Sequence, residues 1–263
     1  MPRRRLDAEL VRRGLIPTRA QAREAVLAGS VLVGGRPARK PATLVGPEEA
    51  LVLTAPPRPF VSRGGEKLRA ALERLEVDPR GRRCLDAGAS TGGFTDCLLR
   101  AGAAAVIAVD VGYGQLALGL RRDPRVVVLE RTNVRDLRPE DLPFRPELVV
   151  ADLSFVPLRL VVPVLVELAV PGATFVVLVK PQFESERRDV GRGGVVRDPA
   201  AWRRAIEVVA HAFERAGVPP IRVVPSALPG PAGNVEFFLH AGGGGGEEGP
   251  DVAGAVREAE SLR

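Results

Sequence analysis

From residue 81 onward the chain alternates short Val- and Leu-rich runs with segments of helical periodicity, and this alternation limits the fold more than any other feature. The runs fall at residues 84–87, 106–109, 126–129, 148–151, 175–179, 221–224 and 235–239. Apolar runs separated by helices describe βα units, so this body is expected to be α/β, around a largely parallel sheet of about seven strands. In such sheets ligands gather beyond the carboxyl ends of the strands, where loops meet helix N-termini. Candidate functional residues are therefore sought there.

The charge distribution separates this body from what precedes it. Of 263 residues, 38 are basic and 32 acidic, a net charge of +6. Residues 1–60 hold 11 basic and 5 acidic side chains and carry that excess alone, which points to a basic binding module joined to a neutral body. Cys84, Cys97, His211 and His240 fit no metal-ligand spacing, so buried reduced thiols and no metal site are expected. The basic start has no apolar run behind it, and the longest charge-free piece of the apolar stretch 158–179 is 12 residues, at 168–179. Neither a secretory signal nor a membrane span is expected, and the cytoplasm is the default compartment.

Within the basic module, Leu6, Leu10 and Val11 recur at helical spacing before Gly14. Thr18 with Gln21 three residues on is a capping-box pattern for a second helix ending near Gly29. Val31–Val33, Gly34-Gly35 and Arg36 onward read as a tight hairpin, and Leu51–Leu53 as a further strand. Arg3, Arg4, Arg5, Arg12, Arg13, Arg19, Arg23, Arg36, Arg39 and Lys40 crowd this small α+β unit, a density suited to phosphate contacts or to a merely solvated face. Arg5-Leu6-Asp7, Leu10, Gly14-Leu15, Thr18-Arg19, Ala22, Gly29, Val31, Val33 and Gly35 resemble the S4 RNA-binding domain, which implies docking on structured RNA through the two-helix face. Arg63, where the body begins, joins the candidate RNA contacts. The organisation expected is an S4-like domain at 1–55, a proline-rich linker at 56–61, a catalytic domain at 62–241 and a flexible Gly-rich and acidic tail at 242–263, with a short helix near 252–262.

The first strand runs into Asp86, Gly88, Ala89, Ser90, Thr91, Gly92, Gly93, Phe94 and Thr95, a glycine-rich turn that opens a helix. Small residues let a ligand approach the backbone, although close packing also selects glycine. The turn is neither G-x-G-x-x-G nor a P-loop. Asp110, with Val111 behind it, closes the second strand, where a carboxylate could hold ribose hydroxyls; Asn133, after the third, could meet an adenine edge. A nucleoside cofactor without a pyrophosphate suits this set, and S-adenosylmethionine is the common one.

Thirty-five of the 38 basic residues are arginine, so Lys40, Lys67 and Lys180 stand out as groups able to lose a proton near neutrality. Lys180 ends the run 174–179 and Asp152 ends 148–151, so both point into the same crevice. Lys67 lies on a helix expected over 66–75, and Glu236 is a charge among bulky apolar residues of the last strand. Ordinary salt bridges are one reading of the four. The other is chemical: methylating a ribose 2′-hydroxyl requires a base, and Lys180 beside a second cation suits that role. Lys67 would stabilise developing oxyanion charge, Asp152 would orient Lys180, and Glu236 would fix Lys67 or the ribose.

Lys67, Asp152, Lys180 and Glu236 resemble the Lys-Asp-Lys-Glu tetrad of FtsJ-like RNA 2′-O-methyltransferases. The blocks at residues 61–68, 85–95, 110–116, 151–155, 179–184 and 233–236 are similar, in order, to the TlyA group, also known as hemolysin A. The resemblance implies a Rossmann-like S-adenosylmethionine-dependent methyltransferase domain and 2′-O-methylation of cytidine in ribosomal RNA, 23S and in some members also 16S. The partners implied are ribosomal RNA and ribosomal subunits, with a monomeric enzyme, and the Arg3-Arg4-Arg5 run favours a dual-subunit one. One departure is the linker, where the group often carries Arg-x-Trp-Val and this chain has Arg58-Pro59-Phe60-Val61, without the indole N–H. The competing readings are a membrane-acting hemolysin and an RNA-binding assembly factor with no catalysis.

Overall fold

A computed structural model describes residues 3–27, 29–54, 59–244 and 249–262. Half of the expected linker and part of the glycine run lie within residues 55–58 and 245–248, which are outside the described residues. The chain divides into two units, Met1–Arg63 and Gly64–Arg263.

In the first unit β1 (Arg4–Arg5) leads into α1 (Leu6–Arg12), followed by α2 (Arg19–Leu27), β2 (Val31–Val33), β3 (Arg36–Pro37), β4 (Leu44–Val45) and β5 (Leu51–Leu53). The capping expected at Thr18 is present: its Oγ1 accepts the Gln21 N–H at 3.2 Å. β2 pairs antiparallel with β3 across Gly34-Gly35 and with β5 on its other side, while β1 pairs with β4. Leu6, Leu10, Ile16, Ala22, Val26 and Val31 form the core. Two carboxylates are buried at its edge. Asp7 accepts from Arg5 at 2.9 Å and from Arg19 at 3.3 Å, and Glu9 from Arg12 at 2.6 Å and Arg13 at 2.8 Å. These hydrogen bonds, led by Arg5 and Arg12, hold both carboxyls down at about 2.

The second unit is built on α3 (Arg63–Leu75), β6 (Arg83–Ala87), α4 (Gly93–Arg100), β7 (Ala105–Val109), α5 (Leu118–Arg121), β8 (Val126–Leu129), β9 (Leu148–Ala151), α6 (Val162–Leu168), β10 (Thr174–Val179), α7 (Pro181–Glu184), α8 (Pro199–Arg215), β11 (Pro220–Pro225), β12 (Phe237–Gly242) and α9 (Val252–Ser261). The seven strands run in the order β11-β12-β10-β9-β6-β7-β8. β6 to β10 are mutually parallel, and β12 inserts antiparallel between β10 and β11. The sheet is thus mixed. From β6 the chain first moves outward to β7 and later returns to β9 on the other side, so the loops after β6 and β9 part and leave a crevice.

Phe175, Phe213, Trp202 and Phe237 fill one face of the sheet, with ring centroids 5.4 Å apart for Phe175–Phe213 and 6.1 Å for Trp202–Phe237. Cys84 and Cys97 are free and buried, and burial pushes both thiols up to about 12. Two differences from the sequence reading bear on the site. β12 begins at Phe237, so Glu236 precedes the strand, where its carbonyl accepts the Ser226 N–H at 2.8 Å and its side chain is turned to Lys67. The C-terminal helix α9 is no detached tail: Ala255, Val256 and Ala259 are buried in the main core, because its small apolar residues recur on one face.

Candidate functional site

The crevice is a cavity of about 500 Å³ whose walls come from the ends of β6, β7, β8 and β9. Of the residues expected to hold a cofactor, Gly88, Ser90, Asp110, Val111, Asn133 and Asp152 line it. Gly88 has φ +88, and a Cβ there would sit 2.5 Å from the Asp152 carbonyl oxygen, so the floor closes only around a hydrogen. The Asp110 carboxylate is aimed by two backbone donors, the Ser90 N–H at 2.8 Å and the Gly112 N–H at 2.6 Å. Asn133 caps a helical turn over Val134–Asp136, its Oδ1 accepting the Arg135 N–H at 3.1 Å.

The rest of the glycine-rich turn does other work. Ala89, Thr91, Gly92, Gly93, Phe94 and Thr95 do not line the cavity. Gly92 is a packing glycine, since a Cβ there would strike the side chains of Leu120 and Leu116. Asp86 is fully buried, with Oδ2 accepting the Thr95 hydroxyl at 2.7 Å and Oδ1 left without a hydrogen bond. Burial, offset in part by that hydroxyl, pushes its carboxyl up to about 7. The folded chain therefore keeps this proton from about pH 4 to about pH 7 while the unfolded chain releases it, so the Asp86 contribution to stability is lost as pH rises through that window. In Asp86→Asn, denaturant unfolding at pH 4 and pH 7 should show a smaller loss of stability on going up in pH than the unsubstituted chain. An identical loss would refute the assignment.

The four tetrad candidates form two ion pairs. Lys67 Nζ meets Glu236 Oε2 at 2.6 Å, with both side chains under a tenth exposed. Lys180 Nζ meets Asp152 Oδ1 at 2.6 Å and donates to Ser154 Oγ at 2.9 Å. Sheet register brings the pairs together: Val179 stands opposite Phe237 in β10 and β12, so Lys180 and Glu236 are neighbours just past that rung. Asp152 follows β9, adjacent to β10, and lines the cofactor-sized cavity. Register thus sets the two pairs side by side, and of the four residues Asp152 lines the cavity.

Sequence reasoning missed Ser154, Phe155 and Glu184. Glu184 ties α7 to the segment after β9, accepting from the Leu158 N–H and from Arg159 Nη1 at 3.0 Å. Phe155 is 92% exposed and held at φ +64, an uncommon conformation for an aromatic residue. Its ring lies 5.4 Å from that of Phe183, which in turn lies under Lys180 Nζ at 5.8 Å. An exposed aromatic close to a buried lysine is a signal only once the loop is folded. In the first unit Arg3, Arg4, Arg23 and Arg36 are exposed, whereas Arg13 is braced by Glu9 and by the Gly46, Pro47 and Glu49 carbonyls; Arg63 is half-buried.

Residues 60–243 match the FtsJ-like methyltransferase family and residues 4–51 the S4 domain. A 16S/23S rRNA (cytidine-2′-O)-methyltransferase TlyA of Mycobacterium tuberculosis is 57% identical over 238 residues, covering 90% of this chain and 89% of the relative. The chain belongs to the TlyA family of FtsJ-like methyltransferases. Another relative, hemolysin A of Brachyspira hyodysenteriae, is 35% identical over 90% of this chain and 98% of its own length. A candidate hemolysin of Streptococcus thermophilus, solved as a structure, superposes with a TM-score of 0.77 at 35% identity, over 99% of this chain and 97% of its own. Among the described residues, no helix is long and apolar enough to cross a membrane.

Proposed function

We propose that this TlyA-family chain transfers a methyl group from S-adenosylmethionine to the 2′-hydroxyl of a cytidine in ribosomal RNA, of the large subunit and also of the small one, with Lys180 as general base. The observation that carries the reading is that sheet register sets the Lys67–Glu236 and Lys180–Asp152 pairs side by side, with Asp152 shared between Lys180 and the cavity. The cavity suits the cofactor. Gly88 lets the floor close against the Asp152 backbone, Asp110 offers an oriented carboxylate to ribose hydroxyls, and Asp152 offers a second carboxylate to a cation. S-Adenosylmethionine supplies an electrophilic methyl on a sulfonium.

The side chains do the rest. Lys180 first releases its own ammonium proton to solvent, and the neutral amine then takes the proton of the ribose hydroxyl as that oxygen forms its bond to the methyl carbon and the methyl–sulfur bond breaks. Lys67, kept in place by Glu236, faces the developing negative charge on the oxygen. Ser154 holds the Lys180 amine to one side of the crevice. Two carboxylates and two ammoniums balance before substrate enters, with Lys67, Glu236 and Lys180 buried and Asp152 partly exposed on the cavity side.

Incubating the protein with labelled S-adenosylmethionine and isolated 50S and 30S subunits, then mapping the modified positions, tests the reading. Label on a cytidine 2′-oxygen is expected; label on a base nitrogen or carbon would overturn it. The position of Phe155 adds a second expectation: its ring stacks on a base of the target strand. Phe155→Ala should raise KM for RNA about tenfold, the effect of about 1.4 kcal/mol of lost stacking, and Phe155→Tyr should restore it. An unaltered KM in the alanine variant would exclude that contact.

A further inference from the structure

After α7 the chain enters a segment that departs from its surroundings in charge. Residues 61–263 hold equal numbers of basic and acidic side chains, but residues 185–204 hold six arginines against three acidic residues. Asp189 and Asp198 are both taken by Arg204, at 3.1 and 3.8 Å. Arg187 and Arg188 are exposed, and the pairing of Arg188 with Glu186 at 3.0 Å joins two side chains that are each more than two-thirds in solvent, where an ion pair is weak. The segment therefore presents arginine outward.

This segment is also anchored to the site. It turns through Gly193 and Gly194, both near φ +75, where a Cβ would touch nothing, so the backbone direction and not packing requires glycine. Asn234, 3% exposed, grips the far side of the turn: its Oδ1 accepts the Val196 N–H at 2.9 Å and its Nδ2 donates to the Gly194 carbonyl at 2.9 Å. The Asn234 carbonyl in turn accepts the Gly230 N–H at 2.8 Å, and a Cβ on Gly230 would lie 2.5 Å from Glu236 Oε1. One buried asparagine thus clamps the arginine segment and the turn that walls in the partner of Lys67.

We propose that residues 186–197 form an RNA-docking element that takes the phosphates flanking the target nucleotide, and that Asn234 couples this element to the Lys67–Glu236 pair. The proposal rests on the RNA-methyltransferase reading above. The segment begins six residues beyond Lys180 and is fastened two residues before Glu236, so a strand whose ribose reaches Lys180 passes beside it. Arginine suits this task because its planar fork matches two phosphate oxygens. Asn234 is a positioning residue: it touches the arginine segment and the Gly230 turn.

Direct binding of a ribosomal RNA fragment containing the target cytidine, measured against salt, tests this independently of turnover. Arg187→Gln with Arg188→Gln should weaken binding about tenfold and reduce the slope of log affinity against log salt by roughly 1.5, while S-adenosylmethionine affinity and kcat at saturating RNA stay unchanged. Unchanged affinity and slope would overturn the proposal, as would absence of RNA binding by the unsubstituted protein. Binding without methyl transfer would instead refute the activity and leave the docking element standing. In Asn234→Ala, or in Asn234→Asp if the first variant does not fold, the two arginine changes should cost clearly less affinity than in the parent; full additivity would remove Asn234 from the coupling.

Discussion

Lys180→Arg should lower kcat for methyl transfer by about 1,000-fold, within the range a positioned general base contributes, while the affinities for S-adenosylmethionine and RNA change little. Arginine keeps the positive charge and reaches the same Asp152 carboxylate that Lys180 meets at 2.6 Å, so the electrostatics of the resting site survive. What is lost is the neutral form, because a guanidinium does not release its proton in a protein. The measurement is single-turnover methyl transfer, with calorimetry for each ligand. Turnover within tenfold of the parent would remove Lys180 as the base and leave it a counter-ion. A rate loss accompanied by an equal loss of cofactor affinity would mean that the larger head group had blocked the cavity.

The second large effect belongs to a residue without a side chain. Gly88→Ala should lower cofactor affinity by more than 100-fold and reduce stability by about 2 kcal/mol, the scale of a strained backbone residue. Two causes act together: φ is +88, and the new Cβ would lie 2.5 Å from the Asp152 carbonyl oxygen, so the β6 and β9 loops must separate. That separation moves Asp152, the carboxylate shared between cavity and Lys180. Gly81→Ala is the control: it has φ +72 with nothing within 4 Å of a Cβ, so it should lose a comparable amount of stability from the backbone alone and bind cofactor normally. Equal cofactor affinity in Gly88→Ala and the parent would show that the floor of the cavity tolerates a methyl group.

The two experiments probe features of different legibility. Lys180 was visible in the sequence because it directly follows a run of five apolar residues, 175–179, and is itself followed by a proline, in a chain where lysine is rare. The same logic located Asp152. Gly88 and Gly92 looked alike in one glycine-rich turn, yet Gly88 closes the cavity floor against a carbonyl and Gly92 makes room for two leucines. Linear spacing cannot separate those cases, because each depends on what a distant element places opposite. Phe155 and Ser154 carry no signal in the segment 151–155 until the loop after β9 turns one out to solvent and the other onto Lys180.

What the sequence by itself determined is local: the seven apolar runs, the cap at Thr18, the two-glycine hairpin and the concentration of positive charge in residues 1–60. Each depends on residues within a few positions of one another, where backbone sterics and hydrophobic periodicity act directly. Pairing was decided elsewhere. Lys67 and Glu236 are 169 residues apart, and only the insertion of β12 beside β10 sets Glu236 next to Lys180 and within reach of α3. The packing of α9 into the core is of the same kind, since an amphipathic helix shows which face it will bury but not against what. Burial and ion pairing are properties of neighbours in space, and strand order, which chooses those neighbours, emerges only when the whole sheet closes around its core.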